Sequence, residues 1–177
     1  MKTFIVLGMH RSATSLCAKG LKESDVFMGT RLLGPTDCNP YGHFEDISFI
    51  ALNDYLLKLA GGSWDAPPNP SDILKVGVQQ ADQIRTFIRG KEKDIDKRNP
   101  PLWGWKDPRT TLLIKIYMPH LTNPHFFCCF RNPREVAKSL HKRDGKPLAE
   151  GYKLAVYYNR QLLEFLAEEY VDMEIIP

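Results

Sequence analysis

The chain has 177 residues, 43% of them hydrophobic, and a formal net charge of +3. That size and apolar share fit one globular domain over residues 1–177 with a core of its own. So small a net charge excludes a global field for nucleic acid and makes any basic function local.

In chain order, Thr3–Leu7 reads as a buried strand that ends in Gly8. It is too short for a secretion signal, and His10 and Arg11 interrupt it with no cleavage site following. No segment has transmembrane length, so a cytoplasmic protein without a membrane span is expected. After Gly8 come Met9, His10, Arg11, Ser12, Ala13, Thr14 and Ser15, leading into a helical pattern over Ser12–Glu23. A strand, a loop with a cation and hydroxyls, and a helix start together make an anion cradle, because backbone N–H groups and the positive helix end face the same point. The loop departs from the nucleoside-triphosphate pattern G-x-x-x-x-G-K-[ST], because Ala13 and Thr14 stand where Gly and Lys would be.

The turn Asn39-Pro40-Tyr41-Gly42-His43-Phe44-Glu45 precedes a helix over Glu45–Ala60, which Gly61-Gly62 closes. Glu45 at a helix start is a favourable dipole partner, and it is also a candidate general base. His43 is the other candidate base. A polar connection over Asp65–Pro70 leads to one helix over Ser71–Arg89, and the Lys- and Asp-rich stretch Gly90–Pro101 reads as a solvated loop.

Further buried strands are read at Leu102–Trp105, His125–Phe130 and Asp172–Ile176, with helices over Pro108–His120, Pro133–Lys142 and Leu148–Tyr170. Strands alternating with helices imply an α/β three-layer sandwich around a parallel sheet of about four strands. Trp103 and Trp105, two apart in one strand, are expected in the core, with base stacking the minority role; Tyr152, Tyr157 and Tyr158 are expected to pack or lie on the surface. Cys17, Cys38, Cys128 and Cys129 show no metal spacing and read as reduced core residues, the neighbours Cys128 and Cys129 on opposite sheet faces.

The second strand ends in Lys106-Asp107-Pro108-Arg109 and the third in Arg131-Asn132-Pro133-Arg134. In each, a cation leaves the strand where an Asp or Asn cap and a proline begin a helix. Ligands of open α/β sheets bind outside the carboxyl ends of the strands. Arg11, Lys106, Arg109 and Arg131 are therefore expected around one cleft for a compound with more than one phosphate, while Arg109 and Arg134 could equally pair with surface acids.

Three of these segments together resemble the PAPS-dependent sulfotransferases, most closely microbial carbohydrate-type members. They are Gly8–Ser15, Asn39–Glu45 and Phe130–Ser139, in the family's order and joined by Trp105–Arg109; the resemblance covers residues 3 to about 142. It implies a P-loop-NTPase-like sulfotransferase fold and metal-free transfer of a sulfuryl group from PAPS to a hydroxyl of a carbohydrate, lipid or other small-molecule acceptor, with PAP as product. By the resemblance, Gly8, His10, Arg11, Ser12, Ala13, Thr14 and Ser15 bind the 5′-phosphosulfate, and Arg11 stabilises charge on the departing phosphate. Arg131 and Ser139 grip the 3′-phosphate, Glu45 is the base and Lys106 helps to hold the sulfuryl group. Ala13 replaces the family's glycine, and the family's Gly/Lys-rich C-terminal closing segment has no counterpart in the sequence. The alternatives are a non-catalytic PAP- or nucleotide-binding protein and a small-molecule or nucleotide kinase. The acceptor has no recognisable code, although Asp25–Asn39, Ala60–Pro70 and the last helix are where it would lie; the oligomeric state is equally unread.

Overall fold

The computed structural model describes residues 2–37, 39–40, 42–96, 102–168 and 172–177. Its elements are β1 (Lys2–Gly8), α1 (Thr14–Glu23), α2 (Ile47–Leu59), α3 (Pro70–Gln79), α4 (Ala81–Asp96), β2 (Leu102–Lys106), α5 (Thr110–Tyr117) with a following 3₁₀ turn (Met118–His120), β3 (Pro124–Cys129), α6 (Pro133–Asp144), α7 (Leu148–Glu168) and β4 (Asp172–Ile176). The four strands form one parallel sheet in the order β2-β1-β3-β4. Its centre is β1, with Ile5 opposite Trp105 on one side and Phe126 on the other.

Alternation along the strands divides the core into two layers. Ile5, Leu7, Trp103, Trp105, Phe126 and Cys128 face α2 to α7, while Val6 and Cys129 face α1 and the segment around Val26 and Met28. Apolar cover on both faces is compatible with a three-layer sandwich and is what a parallel sheet needs. It puts the neighbours Cys128 and Cys129 on opposite faces, as the sequence implies. Trp105 lies flat on Phe49, ring centroids 4.4 Å apart and 9° from parallel, so both tryptophans of β2 belong to the core. Tyr158 is buried with its hydroxyl donating to the Trp64 carbonyl, and Tyr157 donates to that of Pro68.

Several expectations need correction. The single helix over Ser71–Arg89 is two, broken at Gln80. α3 buries Ile73, Val76 and Gly77, and a Cβ on Gly77 would collide with the Ile116 side chain of α5; α4 turns away to bury Ile84, Ile88 and Ile95. The loop expected from Gly90 is helical as far as Asp96, because Ile88 and Ile95, two turns apart, carry the buried stripe through the charged stretch; the rest of that expected loop, 97–101, lies outside the described residues, as does Cys38. β4 occurs over the expected residues but is not buried, Ile175 being 61% exposed. Helix α2 begins two residues late because Asp46, not Glu45, caps it, accepting from Ser48 N–H at 2.9 Å. Burial alone would raise the Asp46 pKa, but bonds from Lys91 and Ser48 more than offset it and hold the carboxyl below its usual range.

The outer edge of β2 is met by the loop after α1. Phe27 N–H donates to the Leu102 carbonyl at 3.0 Å, and Gly104 N–H donates to the Phe27 carbonyl at 2.9 Å. Among the described residues, no helix is long and apolar enough to cross a membrane.

Candidate functional site

The loop from Gly8 to Ser15 is set by close approach and by two left-handed residues. Gly8 has φ +140°, and a Cβ there would lie 2.5 Å from the Cys129 carbonyl oxygen. Its N–H donates to Thr111 Oγ1 at 2.8 Å, and the Thr111 hydroxyl donates to the Gly8 carbonyl at 3.2 Å, so α5 clamps the end of β1. Arg11 (φ 69°) and Ala13 (φ 63°) then occupy the left-handed region, each at a cost of about 1–2 kcal/mol for a residue with a Cβ. The two left-handed residues wrap the loop ahead of the α1 N-terminus.

The loop is tied to the third strand junction. Arg131 Nη1 donates to the Arg11 carbonyl at 2.8 Å, and Arg11 Nε donates to Ser139 Oγ at 2.9 Å. Asn132 caps α6 by accepting from Arg134 N–H, with Pro133 in the first turn. At the second junction Asp107 accepts from Arg109 N–H at 3.0 Å, but a turn intervenes and α5 starts only at Thr110.

A cleft of about 330 Å³ opens over these strand ends. His10, Arg11, Ala13, Thr14, Ser15, His43, Glu45, Lys106 and Arg131 line it, so most of the residues expected from sequence converge. Four do not line it. Gly8 lies beneath the loop, and Ser12 is buried with its hydroxyl unpartnered. Ser139 stands behind Arg11, its hydroxyl accepting from the guanidinium. Arg109 is drawn away by Asp54 and Asp107, which overturns its placement among the cleft cations. Burial would lower the Arg109 pKa, but Asp107 and Asp54 raise it above its ordinary value. Asp107 is itself held in a buried network, accepting from Asn53 Nδ2 at 2.9 Å while the Tyr117 hydroxyl donates to Asn53 Oδ1 at 2.7 Å. Arg134 is exposed, off the cleft.

Lys19 and Arg143 also line the cleft and were missed by sequence reasoning. Each sits inside a helix with no motif around it. The only available signal was periodic: Arg143 lies four residues after Ser139 and so on the same helix face. Its guanidinium lies 5.5 Å from the Trp64 ring centroid, and the His10 ring lies 4.4 Å from the same indole.

The described lining holds five cations, Arg11, Lys19, Lys106, Arg131 and Arg143, and the single carboxylate Glu45, while Asp144 pairs with Arg143 and Glu23 with Lys19 from outside the lining. Glu45 Oε1 accepts from Lys106 Nζ at 2.6 Å, the two side chains 6% and 2% exposed. Pairing of the backbone of Leu33 with that of His43 and Glu45 fixes the turn carrying Glu45. Asn39 Nδ2 donates to Ser15 Oγ, and Ser15 Oγ donates to the His43 carbonyl, each at 3.3 Å, so the turn is anchored to the loop.

Both histidines are poised to be neutral. Burial lowers the His43 pKa; Glu45 opposes the shift, and Lys106, Arg143 and Arg11 add to it. Its Nε2 lies 2.9 Å from Thr36 Oγ1. His10 is pushed well below its ordinary value by burial first, then by Arg109, Lys106 and Arg143, and its Nε2 is buried without a partner. Among the described residues no cluster of three or more His, Cys, Asp or Glu could hold a metal ion. An excess of fixed cations beside a helix N-terminus can bind a polyanion and stabilise charge developing on it.

No protein-family model, no curated protein and no solved structure matches the chain.

Proposed function

We propose that the chain is a sulfotransferase of P-loop-like fold, acting in the cytoplasm, that moves the sulfuryl group of PAPS to a hydroxyl of a carbohydrate, lipid or other small-molecule acceptor. The observation that carries the reading is the meeting of Arg11, Lys106 and Arg131 on one cleft, with Arg131 hydrogen-bonded to the backbone of the loop that bears Arg11. The residues present suit PAPS: Arg11, Lys106 and Arg131 outnumber the single carboxylate of the cleft, as a ligand with two phosphate positions requires, and the buried, unpartnered Ser12 hydroxyl lies just behind the lining in the loop assigned to the phosphosulfate.

When bound, PAPS supplies a sulfuryl group activated by a phosphate leaving group. The chain's part is to orient and to balance charge. The loop and the α1 N-terminus present N–H donors to the 5′ end, and Ser139 orients the Arg11 guanidinium toward the charge that develops on the departing phosphate. Arg131 holds the loop and contacts the 3′-phosphate. Glu45 takes the proton of the acceptor hydroxyl, with Lys106 fixing its carboxylate in place. Its neutral ring makes His43 the second candidate for that proton.

The test is calorimetry with PAP in EDTA against ATP with magnesium, followed by labelled-sulfate transfer to pooled glycans, lipids and phenols. PAP binding and transfer are expected. Metal-dependent ATP binding without PAP binding would overturn the sulfotransferase reading in favour of a kinase, and PAP binding without transfer would leave the non-catalytic one. Arg11→Ala is expected to abolish transfer. Arg131→Ala removes a charge-assisted phosphate contact worth about 1.5–3 kcal/mol and so weakens PAP roughly 10- to 150-fold; unchanged affinity contradicts the assignment.

A further inference from the structure

Two thiols outside the proposed chemistry lie together beneath the cleft. Cys17 is in the first turns of α1, just past the loop hydroxyls, and is half-buried. Cys129 is the last residue of β3 and fully buried. Both belong to the smaller core layer, where Cys17 packs against the group formed by Val6, Ala18 and Cys129. Cys128 faces the opposite layer, so side-chain alternation separates it from this pair. We infer that Cys17 and Cys129 are a modification site, a thiol pair that closes to a disulfide when hydrogen peroxide reaches the half-buried Cys17.

Supporting chemistry divides the two roles. The neighbouring Cys129 thiol lowers the Cys17 pKa against the opposing effect of burial, while the neighbouring Cys17 and then burial push Cys129 up. Cys128 is pushed up to about 12, mainly by burial. The nucleophile is thus Cys17, with the partly exposed, thiolate-favouring setting that peroxide-sensitive cysteines require. Its sulfur attacks one peroxide oxygen; an S–O bond forms, the O–O bond breaks and water leaves, giving a sulfenic acid. The Cys129 sulfur then attacks the Cys17 sulfur, the S–S bond forms, and the hydroxyl leaves as water with the Cys129 proton. In sum, two thiols and one peroxide give one disulfide and two waters. The cross-link ties the start of α1 to the end of β3, two residues before Arg131. The inference does not rest on the sulfotransferase reading.

The experiment exposes the full chain carrying Cys38→Ala and Cys128→Ala, with folding verified by circular dichroism, to a few equivalents of hydrogen peroxide before alkylation and mass spectrometry. Expected are loss of both alkylatable thiols and a dithiothreitol-sensitive link between the tryptic peptides 12–19 and 116–131. Adding Cys129→Ala should leave Cys17 as a sulfenic acid trappable by dimedone. The unsubstituted chain is treated in parallel, with fragmentation between Cys128 and Cys129 locating the bond, so the outcome does not depend on the variants folding. A link through Cys38 or Cys128, oxidation of Cys17 to sulfinic acid without a link, or two unreacted thiols would each overturn the proposal.

Discussion

Lys106 and Glu45 meet at 2.6 Å with 2% and 6% of their side chains exposed, so each is the other's main defence against burial of a lone charge. Lys106→Met leaves the carboxylate buried alone, and Glu45→Gln leaves the ammonium alone. Losing one partner of such a pair costs about 3–5 kcal/mol. For a chain of this length that lowers Tm by roughly 10 °C, at about 2–4 °C per kcal/mol. Replacing both removes the uncompensated charge, and a well-filled neutral pair is near neutral in stability. The double variant is therefore expected to be at least about 2 kcal/mol more stable than the sum of the single losses implies. Urea unfolding followed by tryptophan fluorescence, with a constant slope across the set, measures all four corners of the cycle. Additivity within about 0.5 kcal/mol would refute the reasoning, because it would mean that cleft water or another cation already balances Glu45. The cycle also bears on binding: an anion that recruits Lys106 must do so against this bond.

The other tests concern the loop and its histidine. Ala13→Gly relieves a left-handed alanine by about 1–2 kcal/mol while adding about 0.4–1 kcal/mol of unfolded-chain entropy, so equilibrium unfolding should show no loss or a gain of up to about 1.6 kcal/mol; a loss of about 1 kcal/mol would show that the backbone is relaxed there. Gly8→Ala sets a Cβ against the Cys129 carbonyl at positive φ and should cost roughly 2–4 kcal/mol in calorimetric stability, a neutral result being incompatible with the strand-end packing. Because the folded-state pKa of His10 lies below its unfolded value near 6.5, the unfolded chain protonates first on acidification. The stability is full above pH 6.5 and is lost below it at up to about 1.4 kcal/mol per pH unit. His10→Phe keeps the ring against Trp64 and should flatten that slope in urea titrations between pH 6.5 and 5; an unchanged slope assigns it to other groups.

The parts of this architecture that were legible in sequence are those governed by local chemistry. β1, β2 and β3 are continuous apolar runs, and Asn132 and Asp107 announce their turns by side-chain capping. The same locality misled at Gly90–Asp96, where Lys and Asp content outweighed the seven-residue spacing of Ile88 and Ile95 that keeps α4 helical. In the cleft, the motifs marked Arg11, Lys106 and Arg131 because a strand end fixes where each projects, and Glu45 because a turn does. They could not show which cation would be claimed elsewhere. Arg109 has the same local setting as Arg134, and its fate is decided by Asp54, 55 residues away in sequence. Arg143 and Lys19 reach the cleft through helix packing alone, which no local pattern records.

Phe27, lying along the outer side of β2, gives the sheet a direction. By occupying the Leu102 carbonyl and the Gly104 N–H, it consumes the hydrogen-bonding groups that an incoming chain would need there. Strand addition on that side would first have to displace Phe27, a side chain packed against the core. Any growth of the sheet, whether by donated strand, domain exchange or self-association, is thereby steered to β4. There Ile175 is already exposed, and nothing among the described residues competes for the backbone.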